Sequence, residues 1–380
     1  MIYLDYNATT PVDKRVVEAI KEAMIDHWGN PSSGHVIGKK GKKMLDQARS
    51  NLAFLLDVMP EEIIFTSGGT ESNNMVILGL ASHYDPKKRH IITSAIEHPS
   101  VLNPCLYLLE KGWDISFVPV DKNGIIDITA FKKAIRPDTF LATIMLANNE
   151  TGAIQPIQEL ASICSKHEIL LHCDAAQAVG KIEVNIKELG VDYLTVAGHK
   201  LYAPKGIGAL FVKKGRPLEK ILHGAGQEYG WRPGTEPVPA AVGLGMAAKI
   251  SATKLKHEPT RQQQLRDRLF EGLKNIFPSL VRHGLPDKTL PNTLSVSFPG
   301  LLANDLLAEM DKLCASTGAA CHDRSVSISH VLGAMGVSKD VAVGTVRLSL
   351  GYYTDEDEID EAITMFESAL RNKKAGSSRP

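Results

Sequence analysis

The sequence predicts an α/β protein: a large layered domain on a mainly parallel seven-stranded sheet, followed by a smaller α+β domain. Three observations carry this expectation. Between about residues 60 and 213, seven short apolar runs alternate with helical patterns. Two of the runs, Phe140 to Leu146 and Ile169 to Cys173, are apolar without alternation, as suits strands buried on both faces of a helix-covered sheet. After Thr235-Glu236-Pro237 the alternation stops.

Taken in order, the first element is a helix. Thr10-Pro11-Val12-Asp13 resembles a helix start with Pro11 at the first helical position, and Val16, Ile20, Met24 and His27 follow at helical spacing. The seven strands are expected at Ile63 to Thr66, His90 to Thr93, Ile115 to Val118, Phe140 to Leu146, Ile169 to Cys173, Tyr193 to Val196 and Ile207 to Val212. A charged helical stretch (about 249–275) leads to a strand at Thr293 to Phe298, a cysteine-containing loop, and a closing helix near 355–371. The expected boundaries are 14–257 for the large domain, 1–13 with 258–371 for the small one, and a polar flexible tail at 372–380.

Composition narrows the function classes. The 380 residues contain 43% hydrophobic and 23% charged side chains, ordinary for a globule and unlike disordered or fibrous chains. Lys+Arg and Asp+Glu each number 43, so no overall field favours nucleic acid or an anionic membrane, and neither is expected as a direct partner. No run approaches the roughly 20 apolar residues that span a bilayer, and the first residues show no basic-then-apolar leader, so a cytoplasmic location is expected. Cys105, Cys164, Cys173, Cys314 and Cys321 are odd in number, widely spaced and without CxxC pairs, which disfavours a disulfide framework or a metal site.

Three segments carry chemistry. In Phe65-Thr66-Ser67-Gly68-Gly69-Thr70-Glu71-Ser72-Asn73-Asn74 a strand enters a glycine turn and then a helix, whose free N–H groups and the Thr70 hydroxyl suit a phosphate. Alone, Gly-Gly-Thr better suits an ordinary turn with Thr70 as helix cap. Asp174 follows a buried strand at the edge where α/β proteins bind ligands, a position that also suits a helix cap. Lys200 stands 26 residues later, past the next strand on the same edge; a lysine there is by itself an ordinary surface charge. Together, a phosphate cradle, an acid and a lysine match pyridoxal 5'-phosphate, which needs an amine for its aldehyde and an acid for its pyridine nitrogen.

The ordered motifs Tyr3 to Thr10, Gly29 to His35, Thr66 to Asn74, Glu97-His98, Asn148 to Gly152, Asp174 to Gln177, Gly198-His199-Lys200, Arg232 to Thr235 and Gly318 to Cys321 resemble the cysteine desulfurases and selenocysteine lyases of the class V aminotransferase family, which are fold type I pyridoxal phosphate enzymes. The resemblance implies a pyridoxal phosphate-dependent transferase fold with Lys200 as the Schiff-base lysine, Asp174 as the pyridinium partner, His98 stacked on the ring and Gln177 donating to the ring oxygen. It implies that Gly69, Thr70 and His199 hold the phosphate, that Thr235 reaches the phosphate of a second subunit in a homodimer, and that Asn149 and Arg347 hold the substrate carboxylate. Cys321 takes the place of the nucleophilic cysteine on a mobile loop, while Cys314 and the other three suit buried structural roles. Ala197 stands where many bacterial desulfurases carry a phosphate-contacting serine, and Gly-Ala-Ala-Cys-His at 318–322 is closer to selenocysteine lyases than Gly-Ser-Ala-Cys-Thr would be.

The expected activity is conversion of L-cysteine to L-alanine, with sulfur carried as a persulfide on Cys321 to an acceptor protein for iron–sulfur cluster, thio-cofactor or tRNA synthesis. The alternative is a selenocysteine lyase, releasing selenide from L-selenocysteine. Further readings are a plain aminotransferase or lyase, for which Cys321 would be dispensable, and a catalytically weak scaffold or sulfur-relay partner.

Overall fold

The computed structural model describes residues 1–83, 88–322 and 325–376; of residues 319–322, 325–327 and 374–376 it describes the backbone alone. The first strand, β1, is Ile2–Tyr3. Seven strands form the central sheet: β2 (Ile63–Thr66), β3 (His90–Ser94), β4 (Asp114–Val118), β5 (Thr139–Met145), β6 (Leu170–Asp174), β7 (Tyr193–Ala197) and β8 (Gly208–Val212). Each lies within one residue of its expected ends. Their order is β2-β8-β7-β6-β5-β3-β4, and only β8 runs against its neighbours.

This topology places the site. β3, β5, β6 and β7 run in one direction, and β2, antiparallel to the antiparallel β8, shares it. The segments leaving the carboxyl ends of five strands therefore gather along one edge, the usual ligand edge of an α/β sheet. β5, β6 and β7 are buried along their whole length, which accounts for their unbroken apolar character. On the flank of β2, the helices Lys14–Asp26 and Val36–Leu56 pack on Val238–Lys254. Gly245 allows that approach, since a Cβ there would stand 2.4 Å from Ala48 Cα.

A second apolar cluster holds Leu265, Leu269, Val296, Phe298, Leu348 and Phe366 together with Ile2 and Leu4. It is built on the sheet β9 (Val281–His283), β10 (Thr293–Ser297), β12 (Ser316–Thr317) and β15 (Thr345–Ser349), with the helices Glu258–Ile276 and Glu356–Gly376 packed together beside it. β1 pairs in parallel with β11 (Leu313–Cys314), so the chain's first residues belong with its last third.

Several local expectations are corrected. The first helix starts at Lys14, not Pro11, because the Asp13 side chain accepts from Arg15 N and caps it; its buried face is Val16, Ala19 and Ala23, and Met24 is exposed. The stretch expected as one helix at 249–275 is two, Val238–Lys254 and Glu258–Ile276, the second with proline in its first turn. The closing helix runs to Gly376, beyond the expected 371, and residues 377–380 of the expected tail lie outside the described residues. The segment expected as a loop around Cys321 pairs as β13 (Ala319–His322) with β14 (Ser325–Ile328), Cys321 opposite Val326. The period-2 pattern Ser325-Val326-Ser327-Ile328 explains the second of these strands.

Candidate active site

A cavity of about 320 Å³ opens at the carboxyl edge of the sheet. It is lined by Gly69, Thr70, His98, Asn149, Asp174, Gln177, His199, Lys200 and Arg347, which brings together nine residues expected from the sequence. Thr235 is not among the lining residues, and the Cys321 side chain lies outside the described residues. Cys105, Cys164 and Cys173 are buried, whereas Cys314 is half-buried rather than enclosed.

One end of the cavity is the start of the helix Gly69–His83, which follows β2 after a two-residue turn. Thr70 is the second residue of that helix, not its cap. The turn sits directly on the sheet: a Cβ on Gly208 would be 2.6 Å from Gly68 Cα. Free backbone N–H groups and the Thr70 hydroxyl at this end make a donor set for an anion.

One helical turn further on, Asn73 does work that the sequence did not reveal. Its Nδ2 donates to Asp174 Oδ2 at 2.8 Å and to Ser100 Oγ at 2.8 Å. Asp174 closes β6, and its Oδ1 accepts from Ala176 N at 3.0 Å, so the carboxylate is fixed at both oxygens. Ser100 Oγ lies 2.8 Å from His98 Nδ1, which also accepts from Ser100 N at 3.1 Å. With Nδ1 occupied as an acceptor, neutral His98 carries its proton on Nε2. Burial holds the imidazole below its ordinary pKa, opposed by Asp174. The signal for Asn73 was its spacing, three and four residues after Thr70 and Gly69 on one helix.

Lys200 ends the short turn Gly198–Lys200 after β7. Its Nζ donates to the carbonyls of Asn7 and of Ala8, the latter at 2.7 Å. Burial, with Arg347 adding to it, pushes its pKa down to about 8. His199 Nδ1 lies 3.2 Å from Thr9 Oγ1, and burial pushes its ring down to about 4, so it is neutral at pH 7. At the opposite side Arg347 Nη1 donates to Asn149 O at 2.9 Å, while Nη2 reaches Asp5 Oδ1 at 2.7 Å and Ser316 Oγ at 2.9 Å. Arg347 Nε is buried without a partner. Asn7, Ala8 and Ser100 also line the cavity and were not singled out from the sequence.

This donor set fits pyridoxal phosphate: a fixed carboxylate for a ring nitrogen, a lysine partly neutral near pH 8, and N–H donors for a phosphate. Among the described residues, no helix is long and apolar enough to cross a membrane and no cluster of His, Cys, Asp or Glu could hold a metal ion.

Residues 2–362 match the family described as aminotransferase class-V, and the chain belongs to that family. It is 42% identical over 371 residues to the cysteine desulfurase IscS of Dictyoglomus turgidum, spanning 97% of this chain and 94% of that protein. Among solved structures, a NifS-like protein matches with a TM-score of 0.92 at 38% identity, covering 97% of this chain and 99% of that one. SspA in complex with cysteine matches with a TM-score of 0.82 at 38% identity, covering 93% and 100%.

Proposed function

We propose that this chain is a pyridoxal phosphate-dependent cysteine desulfurase, converting L-cysteine to L-alanine and passing the sulfur on through a persulfide at Cys321. The observation that carries the proposal is the convergence of Lys200, Asp174, His98 and Arg347 on one cavity, in a chain that is 42% identical to a named cysteine desulfurase over 97% of its own length. Residues 14–257 would form the cofactor-binding domain, and 1–13 with 258–371 the domain that bears Cys321.

When bound, pyridoxal phosphate supplies an aldehyde that condenses with amines and a ring that takes up the electron pair released at the α-carbon. Gly69, Thr70 and His199 would hold its phosphate, with Thr235 serving the second copy of the chain in a homodimer. Asp174 would pair with the ring nitrogen, His98 would stack on the ring and Gln177 would donate to its oxygen. Arg347 and Asn149 orient the substrate carboxylate, which sets the α-hydrogen toward Lys200. Lys200 Nζ would take the α-proton and later return a proton to the alanine carbon skeleton. His98 Nε2, with its proton fixed there by Ser100, moves protons at the substrate amine and thiol. The Cys321 thiolate attacks the substrate sulfur: the new S–S bond forms as the Cβ–S bond breaks, and the electron pair stays with the carbon fragment that is protonated to alanine. An acceptor protein then takes the persulfide sulfur, in the cytoplasm.

The test is a paired assay of wild type and Cys321→Ala with L-cysteine and L-selenocysteine, following alanine, sulfide and selenide. Loss of cysteine turnover in the variant, with a persulfide on Cys321 in wild type, supports a desulfurase. Turnover of selenocysteine alone would make the chain a selenocysteine lyase, and a wild type that binds no pyridoxal phosphate would end the enzyme assignment.

A further inference from the structure

Behind the cavity wall lies a lysine that the reaction described above does not use. Lys181 is only 9% exposed and is not among the lining residues. Its Nζ donates to Gln177 Oε1 at 2.6 Å, four residues earlier in the chain, and to Asn7 Oδ1 at 2.8 Å. Whether ammonium or amine, the group has a hydrogen for each of these acceptors.

The surrounding bonds leave one arrangement of the two amides. Asn7 Oδ1 also accepts from Asn292 Nδ2 at 3.1 Å, while Asn7 Nδ2 donates to Thr293 Oγ1 at 2.9 Å and to Asn149 O at 3.2 Å. Asn7 O, which can only accept, takes Gln177 Nε2 at 2.9 Å and also takes Lys200 Nζ. Gln177 Nε2 has two hydrogens, and the carbonyl of Asn7 uses one; the other is left for the cavity that Gln177 lines. Gln177 Oε1, by contrast, accepts from Lys181 Nζ.

We propose that Lys181 is a positioning residue that anchors Gln177 through its Oε1, so that Gln177 Nε2 presents a hydrogen-bond donor to the cofactor's ring oxygen. The inference rests on the pyridoxal phosphate assignment. It assigns Lys181 no contact with cofactor or substrate; its effect passes through Gln177. Burial, Lys200 and Arg347 all hold the Lys181 amine well below its ordinary pKa, consistent with a lysine kept inside for its hydrogens rather than its charge.

The readout is the pH midpoint of the visible absorption band of the pyridoxal phosphate-loaded protein. A donor to the ring oxygen draws negative charge away from the proton shared between that oxygen and the adjacent nitrogen. Losing the donor makes the proton harder to remove, so the midpoint rises. Lys181→Met, close to isosteric, should raise it by about half a pH unit or more in the wild-type background. It should change nothing in a Gln177→Leu background, because the group it acts through is gone. Lys181→Arg keeps the donors and should keep the wild-type midpoint; it also serves where Lys181→Met does not fold, and a folded Lys181→Arg protein with the midpoint of Gln177→Leu overturns the role. So does an equal shift from Lys181→Met in both backgrounds, which would mark a field effect of the charge, or no shift in either. A wild type without a visible band overturns the proposed function, whereas a titrating wild type beside an unmoved Lys181→Met overturns only the role of Lys181.

Discussion

Arg347 and Asp5 hold one another at 2.7 Å, Nη2 to Oδ1, with the Ser316 hydroxyl bonded to both, at 2.9 Å to each. The second guanidinium nitrogen is committed to Asn149 O, and the buried Nε alone is unpaired. Asp5, Ser316 and Asn149 together fix the plane and position of this guanidinium, and an ammonium, a point charge without that rigid set of donors, cannot take the same bonds. Arg347→Lys should therefore raise the KM for L-cysteine about tenfold or more, the equivalent of roughly 1.4 kcal/mol, and leave the visible band of the loaded protein unchanged. Steady-state kinetics with L-cysteine would show it, and a wild-type KM would remove Arg347 from the substrate site.

Lys200 predicts how the protein takes up its cofactor. Only a neutral amine attacks an aldehyde, and burial with Arg347 brings this one to about 8. At pH 7 roughly a tenth of it is neutral, about 300 times the fraction of an unperturbed lysine. The rate of pyridoxal phosphate uptake by cofactor-free protein should rise with pH to a midpoint near 8 and then level off. Stopped-flow absorbance would measure it, and a rate still climbing in proportion to hydroxide above pH 9 would contradict the depressed pKa. Lys200→Ala should give no covalent uptake at any pH.

Glu97 and His172 make opposite contributions to acid and base stability. Glu97 is buried, with Oε1 accepting from Ser94 Oγ at 2.6 Å and Met145 N at 2.9 Å, Oε2 unpaired, and its carboxyl pushed up to about 8 by burial. Between pH 4.5 and 8 the folded state keeps a proton that the unfolded chain releases, so its contribution falls as pH rises. His172, between Thr143 and Thr195 and pushed down to about 3 by burial, does the reverse: its contribution is whole above 6.5 and is lost as pH falls toward 3. Glu97→Gln keeps an oxygen for the same two donors and cannot ionise. Its stability relative to wild type should grow by a few kcal/mol, at most about 5, from pH 4.5 to 8. Urea unfolding of the cofactor-free proteins at the two pH values would test it, and a constant difference would show that Glu97 titrates alike folded and unfolded.

The sheet was legible because β5, β6 and β7 are buried on both faces, and continuous apolar runs have few other uses. The site was legible where chemistry restricts residue type: Asp174 ends a strand and Lys200 follows one, and those strands fix the edge they occupy, whereas Arg347, in the other sheet, was reached only through the family resemblance. Asn73 and Lys181 were not legible, because their importance lies in partners 101 and 174 residues away in sequence (Asp174 and Asn7), and no local pattern records such pairings. Helix ends failed for a related reason. Pro11 offered a conventional start, but the Asp13 carboxylate, two residues on, actually caps the first helix.

Glu228, a few residues before the Arg232 to Thr235 motif, has a mechanical task. Arg49 and Glu228, both about nineteen-twentieths buried, meet through two bonds of 2.7 Å, and Glu228 Oε2 also accepts from Phe65 N at 2.8 Å. The pair fastens the segment that carries Arg232 and Thr235 to β2, the strand that leads into the Gly68-Gly69 turn, and Arg232 in turn bonds Glu71 at 3.0 Å in the first turn of the following helix. Removing one partner strands a buried charge, so Glu228→Ala should cost about 3–5 kcal/mol in unfolding free energy. Replacing both by apolar residues of similar volume, Arg49→Met with Glu228→Leu, should recover part of that loss, because neither desolvated charge remains. Phe65 N would still lack its acceptor, at a cost of about 1–3 kcal/mol, so recovery should be incomplete. Chemical denaturation of wild type and these two variants gives the comparison, and a Glu228→Ala protein as stable as wild type would show that the ion pair is not what holds this segment to the sheet.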